Sequence, residues 1–97
     1  MDKYTLSTDA LHDLKEIWEY IAVDNVVAAD KVEYSLYSEF ERISNTPYIG
    51  HKRDDLTDKP VRFWNLYSYQ IIYNPEASPI QIIRILSGYR DIAGIME

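Results

Sequence analysis

The spacing of apolar residues changes part-way along this chain, and that change limits what the chain can fold into. Through residues 8–45 apolar side chains recur every three or four positions, as on one face of an α-helix. From Val61 onward they alternate every second position, with many aromatic and β-branched residues, as in β-strands. A chain of 97 residues buries both patterns by packing helices on one sheet. The sequence therefore predicts a single α+β domain spanning residues 1–97.

The first half predicts two amphipathic helices. In the first helix, with Ser7 or Thr8 as its cap, four apolar residues share one face: Leu11, Leu14, Trp18 and Ile21. The opposite face carries polar side chains: Asp13, Glu16 and Tyr20. The second helix has an apolar face formed by Ala29, Val32, Leu36, Phe40 and Ile43. Because only a few residues around Asp24 separate the two patterns, we expect an antiparallel helical hairpin.

The strand pattern predicts a small, mainly antiparallel sheet beneath this hairpin. A short N-terminal strand is expected at Lys3–Leu6, followed after the helices by three strands: Val61–Leu66, Tyr69–Tyr73 and Ile80–Leu86. The last of these is apolar on both faces, which indicates a central rather than an edge strand. Asp91–Met96 is compatible with either a helical turn or an extension of a strand.

Charge is distributed unevenly between the two halves. Residues 1–46 contain ten acidic and four basic residues, whereas the remainder contains six of each, which gives the net charge of −6. A uniformly basic surface for nucleic acid is therefore excluded, and strong direct binding to RNA or DNA is not expected. No stretch is long and apolar enough to span a bilayer, and residues 1–20 lack a signal-peptide pattern. With no cysteine, the chain suits a reducing cytoplasm.

Arginines within the predicted strands are the exceptions to an ordinary core. Simple alternation places Arg62 on one face with Trp64, and Arg84 on one face with Ile82 and Leu86. A guanidinium in a central strand is costly unless it is paired. One alternative is that such an arginine forms an internal salt bridge with one of the acidic residues. The other is that Arg62, Arg84 and Arg90 lie on an uncovered sheet face and bind a carboxylate or phosphate of a partner. We favour the second alternative, because a two-layer domain leaves one sheet face open.

The sequence shows no enzyme or metal signature. His12 and His51 are isolated from other residues at ligand spacing, so no metal site is predicted. Ser87-Gly88 lacks the context of a catalytic nucleophile, and no glycine-rich phosphate loop is present. We therefore predict neither a metal nor an organic cofactor. Tyr20 and Tyr34 lie opposite the apolar helix faces and are expected to be exposed.

A resemblance to a known family runs through nearly the whole chain. It rests on several short stretches in order: Leu6-Ser7, Asp13-Leu14, Ile17-Trp18, Asn45-Thr46-Pro47, Ile49-Gly50, Val61-Arg62, Ile72-Tyr73, Arg84-Ile85-Leu86 and Gly88. With these, the chain resembles the ParE branch of the RelE/ParE superfamily, the toxins of type II toxin–antitoxin systems associated with plasmid stabilization. Many relatives carry His where this chain has Ser87, which weakens a ribonuclease reading.

Two mechanisms are implied by the resemblance. ParE-like toxins poison DNA gyrase and have no catalytic residues of their own, and the acidic net charge favours this mechanism. RelE-like toxins cleave mRNA in the ribosome. For that alternative, Arg62 and Arg84 would neutralise the phosphorane and Tyr89 would transfer a proton. A third hypothesis, from a different class, is a non-toxic binding module that retains the fold.

The resemblance also implies a protein partner. A ParD-like antitoxin would fold its C-terminal segment along the toxin in a hetero-oligomer and direct acidic side chains at the arginines. The residues expected to bind it are Arg62, Trp64, Tyr73, Arg84 and Arg90.

Overall fold

The computed structural model describes residues 3–88 and 92–96. Its elements, in chain order, are β1 (Tyr4–Leu6), α1 (Thr8–Ala22), α2 (Val26–Asn45), β2 (Arg62–Leu66), β3 (Tyr69–Asn74), β4 (Ile80–Ser87) and α3 (Ile92–Ile95). The predicted α+β class, with an N-terminal strand and a helical hairpin on a small sheet, is confirmed. Of the two alternatives left open for Asp91–Met96, the helical turn is the one formed at Ile92–Ile95, while Asp91 lies outside the described residues.

The four strands form one sheet in the order β1-β4-β3-β2. β3 runs antiparallel to both β2 and β4, whereas β1 pairs in parallel with the first half of β4 through Tyr4↔Ile80 and Leu6↔Ile82. The central position predicted for β4 is therefore confirmed. The β2–β3 hairpin turns at Tyr67-Ser68, where Tyr67 adopts a positive φ of 54°.

Short polar side chains fix the start of each long helix. Ser7 caps α1 by accepting a hydrogen bond from the Ala10 amide at 3.0 Å, and its hydroxyl also donates to the Ile83 carbonyl oxygen at 2.6 Å. Asn25 caps α2 through the Ala28 amide. These caps satisfy amides that lack a partner in the first turn. Ser7 therefore joins the start of α1 to the central strand.

One face of the sheet carries the helical hairpin. The core between them is apolar, with buried residues from both helices and from β3 and β4: Ala10, Leu14, Leu36, Phe40, Ile43, Ile71, Tyr73, Ile80, Ile82 and Ile85. The apolar face predicted for α2 is buried as expected, with Ala29, Leu36, Phe40 and Ile43 inaccessible to solvent. Packing of the helices on this face fixes the positions of the candidate residues on β2 and β4.

The opposite face of the sheet is also covered, which corrects the expectation of an open face. Val61, Phe63, Ile72 and Leu86 form a second buried cluster there, against Ile92 and Met96 around α3, with Leu56 packed alongside. The sequence already contained the cause, since β2, β3 and β4 carry apolar residues on both faces. Burial of these side chains is favourable at about 25 cal/mol per Å².

A β-bulge separates Leu86 from the sheet face that carries Ile82. Between Ile72 and Tyr73 the register with β4 shifts, so that Tyr73 pairs with Ile82 while Ile72 pairs with Arg84. After the bulge Ile85 packs in the helix-side core and Leu86 in the opposite cluster. The alternation that grouped Ile82, Arg84 and Leu86 on one face was therefore wrong, because a bulge inserts one residue and reverses the pattern beyond it.

The buried face of α1 is also rotated from the predicted one. Asp13, expected on the solvent face, is buried, and Leu11, expected in the core, is 51% exposed. The helix packs through Ala10, Asp13 and Leu14 because Asp13 bonds to β4. Tyr20 and Tyr34 are 82% and 76% exposed, as predicted. Within residues 3–88 and 92–96, no helix has the length and hydropathy needed to cross a bilayer.

Candidate functional site

Arg62 lies at the start of β2, beside the loop that follows α2. Its Nη1 donates a hydrogen bond to the Gly50 carbonyl oxygen at 2.8 Å, and its guanidinium carbon lies 5.0 Å from the centre of the Tyr48 ring. Its Nε is buried without a hydrogen-bond partner among the described residues. No carboxylate in the described part of the chain forms an ion pair with it. Arg62 is therefore a half-buried cation with unused hydrogen-bonding capacity.

Tyr73 holds the loop that contacts Arg62. Its hydroxyl donates to the Pro47 carbonyl oxygen at 2.7 Å and accepts from the Gly50 amide at 2.9 Å. Burial raises the pKa of Tyr73, although the Gly50 hydrogen bond and the charge of Arg62 oppose this shift. Tyr73, predicted as a residue that binds the antitoxin, is fully buried, so its side chain is not at the surface of this structure. Through its hydrogen bonds to Pro47 and Gly50, Tyr73 holds the loop to which Arg62 binds.

Trp64 lies two residues further along β2, on the same face as Arg62, and is half-buried. Its indole Nε1 donates to Glu39 of α2 at 3.4 Å, and Glu39 also binds Arg42 at 3.0 Å. The His51 ring lies 6.4 Å from the Trp64 ring. Arg62 and Trp64, predicted together, are thus found together at the edge of the sheet.

Arg84 is engaged elsewhere, by α1. Its Nε and Nη2 donate to the two carboxylate oxygens of Asp13 at 2.8 and 3.0 Å, and the Ile85 amide donates to the same carboxylate at 3.0 Å. The hydrogen bond to Asp13 raises the pKa of Arg84 against the effect of desolvation, and the charges of Asp13, Asp9 and Glu16 raise it further. The expectation that Arg84 lies free for a partner is therefore wrong; of the two alternatives, the internal salt bridge is the one formed.

A cleft of about 570 Å³ opens beside this ion pair, between α1 and the ends of β3 and β4. We call it the α1 cleft; it is lined by Asp13, Glu16, Ile17, Tyr20, Ser68, Tyr69, Ile85 and Ser87. Burial raises the pKa of the Tyr69 phenol, with a smaller contribution from Tyr20. The sequence pattern did not reveal this cleft, because its acidic members looked like an ordinary solvated helix face.

The predicted residues do not form one site. Arg62 and Trp64 share the β2 edge, Arg84 belongs to the Asp13 ion pair, and Tyr89 and Arg90 lie outside the described residues. Of the residues named for the ribonuclease alternative, Arg62 binds Gly50 and Arg84 binds Asp13, and the third, Tyr89, is not among the described residues. Among these residues, no group of His, Cys, Asp or Glu is arranged to hold a metal ion.

Sequence reasoning missed Asp13, Glu39 and Tyr48. Each contacts a predicted residue, since Asp13 binds Arg84, Glu39 accepts from Trp64, and Tyr48 stacks on Arg62. The only available signal was indirect: an arginine in a central strand requires a carboxylate, and α1 offers several. The sequence alone does not show which of these carboxylates reaches Arg84.

Comparison with known proteins identifies a matching family and a similar fold. Residues 4–92 match the model of the family described as ParE toxin of type II toxin-antitoxin system, parDE. A solved structure titled "Chromosomal ParDE TA system from P. aeruginosa" has a similar fold, with a TM-score of 0.70 and 20% sequence identity. The match covers 87% of this chain and 92% of the other. No curated protein matches the sequence.

Proposed function

This chain belongs to the ParE toxin family of type II toxin–antitoxin systems, and from that premise we propose that it poisons DNA gyrase and is neutralised by a ParD-like antitoxin. It would act in the cytoplasm, where both partners are found. No cofactor is required, because the proposed action is binding to a protein rather than a reaction carried out by the toxin's own side chains.

The occupied state of Arg84 is the observation that favours gyrase over mRNA as the target. A ribonuclease of this fold would need Arg84 to neutralise a phosphate, yet Asp13 already binds the Nε and Nη2 of its guanidinium, and Asp9 and Glu16 add further negative charge nearby. The helical half of the sequence is strongly acidic, which opposes docking on ribosomal RNA. A protein target does not carry this electrostatic penalty.

Gyrase supercoiling with the purified protein tests the proposal. We expect loss of supercoiling and accumulation of cleaved DNA in the presence of ATP, and recovery of activity when the antitoxin is added first. The matched control is the toxin–antitoxin complex at the same concentration. No inhibition at large molar excess, together with mRNA cleavage in a purified translation reaction, would transfer the chain to the ribonuclease class. Harmless expression without antitoxin would instead identify a non-toxic binding module.

We propose that Arg62 and Trp64 contact the antitoxin directly. Tyr73 would contribute indirectly, because it holds the loop that contacts Arg62. Arg84 would also contribute indirectly, because it binds Asp13. The role of Arg90 stays a prediction. The guanidinium of Arg62 forms no ion pair with a carboxylate of the described residues. It is therefore suited to a carboxylate of the antitoxin, since charge-assisted hydrogen bonds are the strongest available to it. Arg62→Gln is expected to weaken antitoxin binding about tenfold or more.

The matched control is Lys59→Gln, which removes the same charge at an exposed position. Isothermal titration calorimetry with both variants gives the comparison, and urea unfolding shows whether Arg62→Gln also affects stability. Equal dissociation constants for the two variants would remove Arg62 from the antitoxin interface.

A further inference from the structure

The α1 cleft is negatively charged, although an arginine on β4 lies beside it. Three carboxylates, those of Asp9, Asp13 and Glu16, act on the single guanidinium of Arg84. They are spaced at i, i+4 and i+7 along α1, which places them on one side of the helix. One of the three neutralises Arg84. The wall formed by α1 therefore retains an excess of negative charge.

The rest of the cleft is largely apolar and aromatic. Ile17 and Ile85 line it together with the Tyr20 and Tyr69 rings. The Tyr20 side chain is 82% exposed at the mouth, and its phenol is close enough to affect the pKa of Tyr69. Aromatic faces and aliphatic walls accommodate the methylene stem of a long basic side chain, while its charged head stays near a carboxylate.

We propose that the α1 cleft receives the side chain of an arginine or lysine from a segment of the antitoxin in which apolar residues flank that cation. The partner's charge follows from complementarity: Glu16 lines the cleft and is absent from the ion pairs of the described residues. The stem would pack on Ile17 and the tyrosine rings, and the head would bind Glu16. The identity of the partner rests on the proposed function. The preference of the cleft for a basic side chain does not depend on it.

The cleft and the Arg62 region then recognise opposite charges on one partner. Arg62 takes an acidic side chain, whereas the α1 cleft takes a basic one. Residues that fill a pocket at an interface generally contribute more to binding than those on its rim. A segment of the wrong charge order would place like charges together at both positions, so the pair of sites would select the matching antitoxin.

A small-molecule titration tests the chemistry of the cleft without antitoxin or gyrase. The probe is N-acetyl-arginine methylamide, added to ¹⁵N-labelled protein, with the uncharged N-acetyl-citrulline methylamide as its matched partner. We expect saturable shifts of the Glu16, Tyr69 and Ile85 amide signals with the arginine probe only. Equal shifts with the citrulline probe, or shifts elsewhere only, would overturn the proposal.

Matched variants locate the binding group. Glu16→Gln is expected to weaken arginine-probe binding about threefold or more, whereas Glu41→Gln, which removes the same charge from an exposed position on α2, is expected to leave it unchanged. Tyr20→Ala and Tyr34→Ala form a second pair of similarly exposed tyrosines, and only the first should weaken binding. Equal affinity within either pair would remove that residue from the site.

Calorimetry with the antitoxin tests the identity of the partner. Glu16→Gln and Tyr20→Ala should each raise the dissociation constant about threefold or more, and their control variants should not. If the arginine probe binds the cleft but neither variant affects antitoxin binding, the assignment to the antitoxin is wrong. Failure of the gyrase assay alone would contradict the proposed target and leave the probe titration intact.

Discussion

Asp13 shows how much one side chain can organise in this fold. β1 pairs with β4 only as far as Ile82, so the next part of that strand edge has no neighbouring strand there. The Asp13 carboxylate accepts hydrogen bonds from the Ile85 amide and from Nε and Nη2 of Arg84. It thereby pairs the strand edge and neutralises a guanidinium in a central strand. An unpaired amide or charge at this depth would be costly.

Replacing Asp13 with Ala is expected to reduce the free energy of unfolding by about 3 kcal/mol, since removal of one partner leaves a partly buried charge and a buried amide unsatisfied. Urea unfolding followed by tryptophan fluorescence gives the value. Asp24→Ala, at an exposed position between the helices, is the control and should change little. Equal losses in both variants would show that the carboxylate contributes only general charge.

Three tyrosines link stability to alkaline pH. Burial raises the pKa of Tyr73, Tyr69 and Tyr37 above 10.0, the ordinary value. A raised pKa means that the folded state holds the phenol proton more tightly than the unfolded state. Their contribution to stability is therefore complete below pH 10 and is lost as the pH rises through the higher values of the folded protein.

We expect the urea midpoint to fall above pH 10, in step with the rise of phenolate absorbance near 295 nm. Tyr73→Phe, which removes the most enclosed phenol, should make that fall shallower, although the variant starts from lower stability because Pro47 and Gly50 lose their partner. Tyr34→Phe is the exposed control and should retain the original slope. An unchanged slope in Tyr73→Phe would exclude Tyr73 from this pH dependence.

The loop between α2 and β2 is held by backbone contacts as much as by side chains. Tyr73 binds it at Pro47 and Gly50, and His51 forms a bridge with Phe63 through two backbone hydrogen bonds of 2.8 and 2.9 Å. Gly50 is required by space: a Cβ there would lie 2.6 Å from the Tyr73 hydroxyl and 2.9 Å from the Phe63 carbonyl oxygen. The position of the Arg62 guanidinium depends on this loop.

Gly50→Ala is expected to reduce the free energy of unfolding by about 2 kcal/mol, as overpacking of a close backbone contact does, and to weaken antitoxin binding through Arg62. Denaturant unfolding and calorimetry measure the two effects. Gly88→Ala is the matched control, because its nearest neighbour, the Ser68 carbonyl oxygen, would lie 3.3 Å away and requires only a small adjustment. A Gly50 variant as stable as the control would contradict the steric argument.

The helices and strands could be predicted from the sequence, but the irregular pairing of β3 with β4 could not. The periods of 3.6 and 2 gave both long helices and all four strands to within a few residues, because burial imposes those periods directly. The bulge after Ile82 could not be foreseen, since it depends on how β4 meets β3. That single irregularity places Leu86 on the opposite face from Ile82, and the ion pair between Asp13 and Arg84 left no pattern in the sequence. Arg62 and Trp64 lie on a regular strand, and their common face was predicted correctly.

At the scale of the whole molecule, one sheet serves two apolar layers of unequal size. The larger lies under the helices and the smaller under α3. The smaller cluster depends on Ile92 and Met96 for its cover, because few other described residues reach that face. Covering both faces removes a large apolar surface from water, which a chain of this length needs for stability.

Ile92→Ala is therefore expected to lower the free energy of unfolding by about 2–4 kcal/mol, in the range for a truncated core isoleucine. Ile95→Ala, at a half-buried position in the same helix, should cost less. Urea unfolding measures both. Binding of a hydrophobic dye to the Ile92 variant would show that the far face of the sheet has opened, and equal stability losses would contradict the special role given to Ile92.

The pairing of β1 with β4 also has a consequence in time. Tyr4 pairs with Ile80, and Leu6 pairs with Ile82. The first strand therefore has no partner until β4 is synthesised, more than seventy residues later. At about 5–20 residues per second, several seconds pass between the synthesis of the two. Native contacts so distant along the chain also slow folding itself. The helices can form early on the ribosome, but the Asp13–Arg84 pair and the α1 cleft exist only once the last strand has emerged. A truncated translation product is therefore expected to lack these binding features.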